Sequence, residues 1–144
     1  MLVQQILKGK PDVGVATIAP GTTVAEATAE LAARKIGALI VSSDGKQALG
    51  ILSERDIVKS LGKSGAKAMD EKVDALMTQK LVTCTRADTS DGVLAKMTQG
   101  RFRHMPVVED GEMVGLISIG DVVKARLAEL AMEKDALEGM IKGY

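Results

Sequence analysis

Two serine–aspartate pairs of equal spacing, Ser53-x-x-Asp56 and Ser118-x-x-Asp121, are the residues through which this 144-residue chain is best placed to do chemistry. Each pair follows a short apolar run, Ile51-Leu52 or Leu116-Ile117, and stands where a helix begins. The structural role of such a pair is a capping box: the serine oxygen accepts from an early helix N–H and the aspartate reaches back to the cap. The same place suits phosphate, because a helix start offers unpaired N–H groups and the positive end of a dipole. A carboxylate beside it matches the two hydroxyls of a ribose. Arg55 adds a cation inside the first pair, whereas the second has Gly120 there and is short of one positive charge.

Other reactive side chains are few. Cys84, the one cysteine, stands where Ile18 stands in an earlier strand, so it reads as a small core hydrophobe. His104 is the one histidine, and neither a His-rich metal set nor a histidine partner for Cys84 is indicated. With Arg101 and Arg103 beside it, His104 has a possible phosphate-facing role. Strand alternation predicts Arg101, Arg103 and Met105 on one face and Phe102, His104 and Pro106 on the other, which keeps the three basic groups from meeting one ligand. No catalytic set emerges, so the chain reads as a non-enzyme.

The elements that must hold these residues are written twice. GILSERDIVK (50–59) returns as GLISIGDVVK (115–124) with five of ten positions identical, and Val41, Asp44 and Gly45 are matched by Val107, Asp110 and Gly111. In the first copy, Val15–Ile18 reads as a strand, Thr23-Val-Ala-Glu26 opens a helix to about Ala33, and Gly37–Ser42 reads as a strand. Asp44-Gly45 signals a tight hairpin back along 48–52, and Gly62 ends the next helix. The second copy has a strand over Leu81–Thr85, a helix over Ser90–Gln99 and a strand over His104–Val108. A short helix precedes the first copy, through Leu2, Ile6 and Leu7, and a helical turn over Val73–Met77 precedes the second.

Strand, helix, strand, Asp-Gly turn and Gly-h-h-Ser-x-x-Asp, given twice between about Val15 and Arg126, resembles the cystathionine β-synthase (CBS) domain pair, the Bateman module. The resemblance implies an α/β fold of two βαββα repeats related by a pseudo-two-fold axis, with sheets packed together and an extended C-terminal helix. It divides the chain into an N-terminal segment with the first repeat (1–63), a linker with a short helix (64–77), the second repeat (78–130) and a helical extension (131–144). It also implies a regulatory module, needing no cofactor, that binds AMP, ATP, NAD(H) or a related adenosine compound in its clefts and acts in trans on an unidentified protein. Asp56 and Asp121 would then hold ribose hydroxyls and Ser53, Arg55 and Ser118 would face phosphate. Arg103 and His104 would meet phosphate near the axis, and Ile18 and Cys84 would frame the base. The competing readings are an assembly module with vestigial pockets and an enzyme using Cys84.

Bulk composition bounds these readings. Nineteen basic residues balance nineteen acidic ones, so no net field favours nucleic acid, and Phe102 and Tyr144 are the sole aromatics, too few to stack bases. No apolar run reaches membrane-spanning length, the opening MLVQQILKGKP lacks a signal-peptide core, and one cysteine fits a reducing cytoplasm. Two lobes this small are predicted to share a core. Past Asp121, Val123, Leu127, Leu130, Leu137 and Ile141 form an apolar stripe interrupted by Lys134, which fits packing on the second lobe or pairing across a homodimer.

Overall fold

Each repeat folds around its own small sheet. The structure, a computed structural model, describes residues 1–11 and 14–141. Residues 12–13 and 142–144, Tyr144 among them, lie outside the described residues. The first sheet has the order β1 (Thr17–Ile18), β2 (Ala38–Val41), β3 (Gly50–Ser53); β2 runs parallel to β1 and antiparallel to β3. Helix α2 (Val24–Arg34) connects β1 to β2, and α3 (Glu54–Ser64) follows β3. In the second sheet β4 (His104–Glu109) pairs antiparallel with β5 (Glu112–Ser118), after α5 (Ser90–Gly100) and before α6 (Ile119–Ile141).

The starts of α2 and α5 are fixed by their caps, Thr23 accepting from the Glu26 N–H and Thr89 from the Gly92 N–H. Both helices end in a left-handed residue that is not glycine, Lys35 and Arg101, each with φ 55°.

Several predicted boundaries move. The stretch 81–85 pairs with the sheet only through Cys84, parallel to Val107, because the Thr85 N–H is taken by the Asp88 carboxylate and the chain turns away. Helix α3 runs through Gly62, whose side is open, and stops at Gly65, where φ is +63°. The Asp-Gly hairpin holds at Asp110-Gly111, where both residues have positive φ between Glu109 and Glu112. At Asp44-Gly45 the turn opens into a wider loop: Asp44 Oδ1 gathers the N–H groups of Lys46 and Gln47, and the Lys46 carbonyl accepts from the Met113 N–H of the other lobe.

The lobes do not share one core. One cluster holds Val24, Leu31, Leu39 and Leu52 of the first repeat, and the other Val93, Met97, Met105 and Ile117 of the second. What joins them is an exchange of short helices. Helix α1 (Val3–Lys8) precedes the first repeat but buries Val3 in the second core, and α4 (Val73–Leu76) precedes the second repeat but buries Val73 in the first. Backbone bonds fasten both, Val3 N–H to the Asp88 carbonyl and Val73 N–H to the Thr22 carbonyl. Each structural lobe thus includes a helix from the far side of the chain. The inner sheet faces, with Ile40 and Pro106 buried, approach each other where the His104 ring lies beside Gly37.

Helix α6 packs on its own lobe through Val122 and Ala125, so the predicted stripe is its other side. Val123, Leu127, Leu130, Leu137 and Ile141 are exposed.

Candidate functional site

Both serine–aspartate pairs form capping boxes. Asp56 Oδ2 accepts from the Ser53 N–H at 2.8 Å and the Ser53 hydroxyl at 2.9 Å, and Ser53 Oγ accepts from the Asp56 N–H. Asp121 Oδ2 accepts from the Ser118 N–H at 2.9 Å, with the Asp121 N–H returned to Ser118 Oγ at 3.1 Å. The next N–H of each helix is also taken: Glu54 donates to the Gly37 carbonyl and Ile119 to the Arg103 carbonyl. The free donors expected at the helix starts are therefore largely used by the protein, and anion attraction falls to the side chains around them.

Those side chains line two adjoining cavities. The Asp56 cavity, about 920 Å³, brings Ser53, Arg55 and Asp56 of the first repeat to Arg101, Arg103 and His104 of the second, with Thr78 and Lys80 from the chain after α4. The Asp121 cavity, about 1050 Å³, brings Ser118 and Asp121 to Ala16, Arg34, Lys35 and Gly37 of the first repeat, with Lys10 from the chain after α1. Each site is thus built from both repeats, a carboxylate from one and the start of a strand from the other. Both volumes suit a nucleotide-sized ligand.

The cavity walls distribute the expected residues as follows. Arg101, Arg103 and His104 do meet in one cavity, because Arg101 is the left-handed cap of α5 and strand alternation begins only at His104. The Asp121 cavity is not short of charge, since Lys10, Arg34 and Lys35 stand on its wall where Gly120 supplies none. Ile18 and Cys84 line neither cavity: Ile18 packs on the first core and Cys84 lies in the second. The cavities open at the starts of those strands, so Ala16 and Val82, two residues earlier, reach them instead.

Gly37 and His104 belong to both cavity walls. A Cβ at Gly37 would stand 2.8 Å from Glu54 Oε1 and 3.5 Å from the imidazole, so glycine permits this close approach. Burial holds the His104 imidazole below its ordinary value; Asp121 and Glu54 oppose the shift, and Lys10 and Arg103 add to it. Burial also pushes the Cys84 thiol up to about 11, which disfavours the nucleophilic thiolate at neutral pH. Asp121 behaves oppositely, for burial acts to raise its carboxyl but Lys10 and the Ser118 bonds outweigh it and hold it low.

Lys10, Lys80, Lys35 and Gly37 were not legible as site residues from motif spacing. The available signal was positional: the offset in the chain that pairs Val3 with Val73 and Leu7 with Met77 also pairs Lys10 with Lys80. Among the described residues no cluster of His, Cys, Asp and Glu is arranged to hold a metal, and no helix is long and apolar enough to cross a membrane.

The sequence profile of the CBS domain matches this chain twice, over residues 10–63 and 73–128. The chain belongs to the CBS-domain family. It is 36% identical over 125 residues, 84% of its length, to the mitochondrial CBS domain-containing protein CBSX3 of Arabidopsis thaliana. It spans 61% of that relative's length and 23–25% of the other Arabidopsis CBS-domain proteins it matches. Its fold superimposes on the CBS-domain containing protein ATU1752 from Agrobacterium tumefaciens with a TM-score of 0.81 at 43% identity, covering 88% of this chain and 99% of that one. It also superimposes on the CBS domain pair of protein MJ0100, crystallised with 5′-methylthioadenosine and S-adenosyl-L-methionine, with a TM-score of 0.77 at 25% identity, covering 90% and 98% of the two chains. The CBS pair is accordingly the architecture of this chain: two α/β repeats, two sheets and a long final helix.

Proposed function

We propose that this CBS pair is a regulatory adenosyl-ligand-binding module that acts in trans on an unidentified protein. The observation that carries the reading is the build of the Asp56 cavity, where a cap-held carboxylate lines one cleft together with Arg55, Lys80, Arg101 and Arg103. The carboxylate suits a ribose diol and the cations suit phosphate. The likeness to the MJ0100 pair supports the adenosyl part. The cationic walls favour AMP, ATP or a dinucleotide over an uncharged nucleoside. The protonated, buried Cys84 supports a binding role over an enzymatic one.

The test is calorimetric titration with adenosine and AMP. Asp56→Asn weakens both compounds alike, because it removes the carboxylate charge and one of the two oxygens that can accept from the diol. Arg55→Ala leaves adenosine unaltered and removes most of AMP's advantage, about 10- to 100-fold for a charge-assisted bond worth about 1.5–3 kcal/mol. Unchanged AMP binding in Arg55→Ala would show that this arginine does not meet phosphate, and no binding of either compound to wild type would defeat the adenosyl reading.

A further inference from the structure

The two carboxylates have unequal company. Lys10 Nζ donates to Asp121 Oδ2 at 2.7 Å and to the Leu116 carbonyl at 2.8 Å, an ion pair whose partners are 36% and 24% exposed. Among the described residues, Asp56 Oδ2 accepts only from its own cap residue, Ser53. Lys80, the positional counterpart of Lys10, lines the Asp56 cavity but forms no ion pair with Asp56 among the described residues. The lysine is brought to its place by α1: the Val3 and Gln4 N–H groups bond to the Asp88 and Arg86 carbonyls, and Leu7 rests on Gly115, where a Cβ would come within 2.6 Å of its methyl.

We propose that Lys10 is an intramolecular competitor for the ribose carboxylate of the Asp121 cavity, so that the chain presents one open adenosyl site, at Asp56, and one latched site, at Asp121. The inference rests on the adenosyl reading above and adds to it which site fills first and what holds the other back. An ammonium donating to Asp121 stands where the hydroxyls of a ribose would donate. A diol that displaces it replaces a charge-assisted bond with neutral ones. It also leaves the lysine without its carboxylate on a wall that already carries Arg34 and Lys35. In the Asp56 cavity a diol meets a carboxylate that, among the described residues, has no ion-paired cation to remove.

Adenosine is the probe, since it has the diol and no phosphate to offer Lys10 a new partner. In calorimetric titration the full chain takes one equivalent that Asp56→Asn weakens, and any second binding in wild type is weaker than the first by at least about tenfold. Lys10→Met, which keeps most of the aliphatic stem, tightens the second equivalent by a similar factor, and Lys10→Met with Asp121→Asn loses it. Lys10→Gln gives the same direction should the methionine variant melt early. Two equal equivalents in wild type overturn the latch. So does a second equivalent that Lys10→Met leaves unchanged or weakens, for then the lysine is a ligand contact or a structural pin. Absence of adenosine and AMP binding in wild type and every variant defeats the adenosyl reading and the latch together. Asp56-dependent binding with no gain from Lys10→Met defeats the latch alone. Carbon NMR titration of the Asp121 carboxyl adds a ligand-free readout: its midpoint moves up in Lys10→Met if the pair exists in solution, and a stationary midpoint overturns it.

Discussion

His104 shows how one residue answers to two cavities. Its imidazole is half-buried on the wall the cavities share, with Glu54, Asp121, Lys10 and Arg103 around it. Burial favours the neutral ring, so the unfolded chain takes up a proton more readily than the folded one. The stability this contributes is present above the ordinary histidine value of 6.5 and is lost as pH falls through the lower folded value. Below pH 6.5, wild type therefore loses stability with falling pH more steeply than His104→Gln, by at most about 1.4 kcal/mol per pH unit for one proton. Thermal melts of the two proteins between pH 5 and pH 8 (on the order of the histidine range) check this. Parallel curves would show that the ring titrates as it does in water.

The exchanged helices set the geometry at the scale of elements. Gly50 opens β3 directly under the segment that follows α4, and a Cβ there would meet Met77 Sδ at 2.6 Å and the Thr78 carbonyl at 3.0 Å. The methionine can swing aside, but the carbonyl is backbone and is fixed by the Ile51–Thr78 pairing. Gly50→Ala is expected to destabilise the fold by about 1–3 kcal/mol, as overpacking does. Because the shifted segment carries Thr78 and Lys80 into the Asp56 cavity, the same variant weakens AMP binding there. Denaturant titration paired with AMP titration tests both. A fully stable Gly50→Ala would mean that the α4 segment is loosely held. Gly115 is the pseudo-symmetric case, where the obstacle is the Leu7 side chain rather than backbone, so the corresponding alanine costs less.

At the scale of the whole molecule, the outer side of α6 carries a run of exposed apolar side chains. Leu127 is 62% exposed and Leu137 is 59% exposed, and they continue a stripe from Val123 to Ile141 at coiled-coil spacing. We propose that a second copy of this CBS pair covers it, making a homodimer. Leu127→Glu with Leu137→Glu places charge on that seam without touching Val122 or Ala125, which pack on the lobe itself. Sedimentation at micromolar concentration, about the range where such dimers are populated, is expected to show dimer for wild type and monomer for the double variant. A monomeric wild type would remove the proposal.

Local periodicity and duplication were enough to determine the repeat architecture. The capping boxes at Ser53-Asp56 and Ser118-Asp121, the Thr23 cap and the Asp110-Gly111 hairpin are short-range hydrogen-bond patterns, readable because all partners lie within a few residues. The same locality limits what could be read: alternation separates His104 from Arg101 and Arg103, whereas all three line the Asp56 cavity because the strand begins only at His104, and matching Ile18 with Cys84 does not show that the cavity walls carry Ala16 and Val82, two residues earlier. Only the tertiary structure decided which residues meet across the lobes. Lys10 lies 111 positions from Asp121, and His104 touches the neighbourhood of Gly37 from the other repeat. Those pairings follow from the burial of Val3 and Val73 in the cores of opposite lobes, a long-range exchange for which hydrophobic side chains carry no address in the sequence.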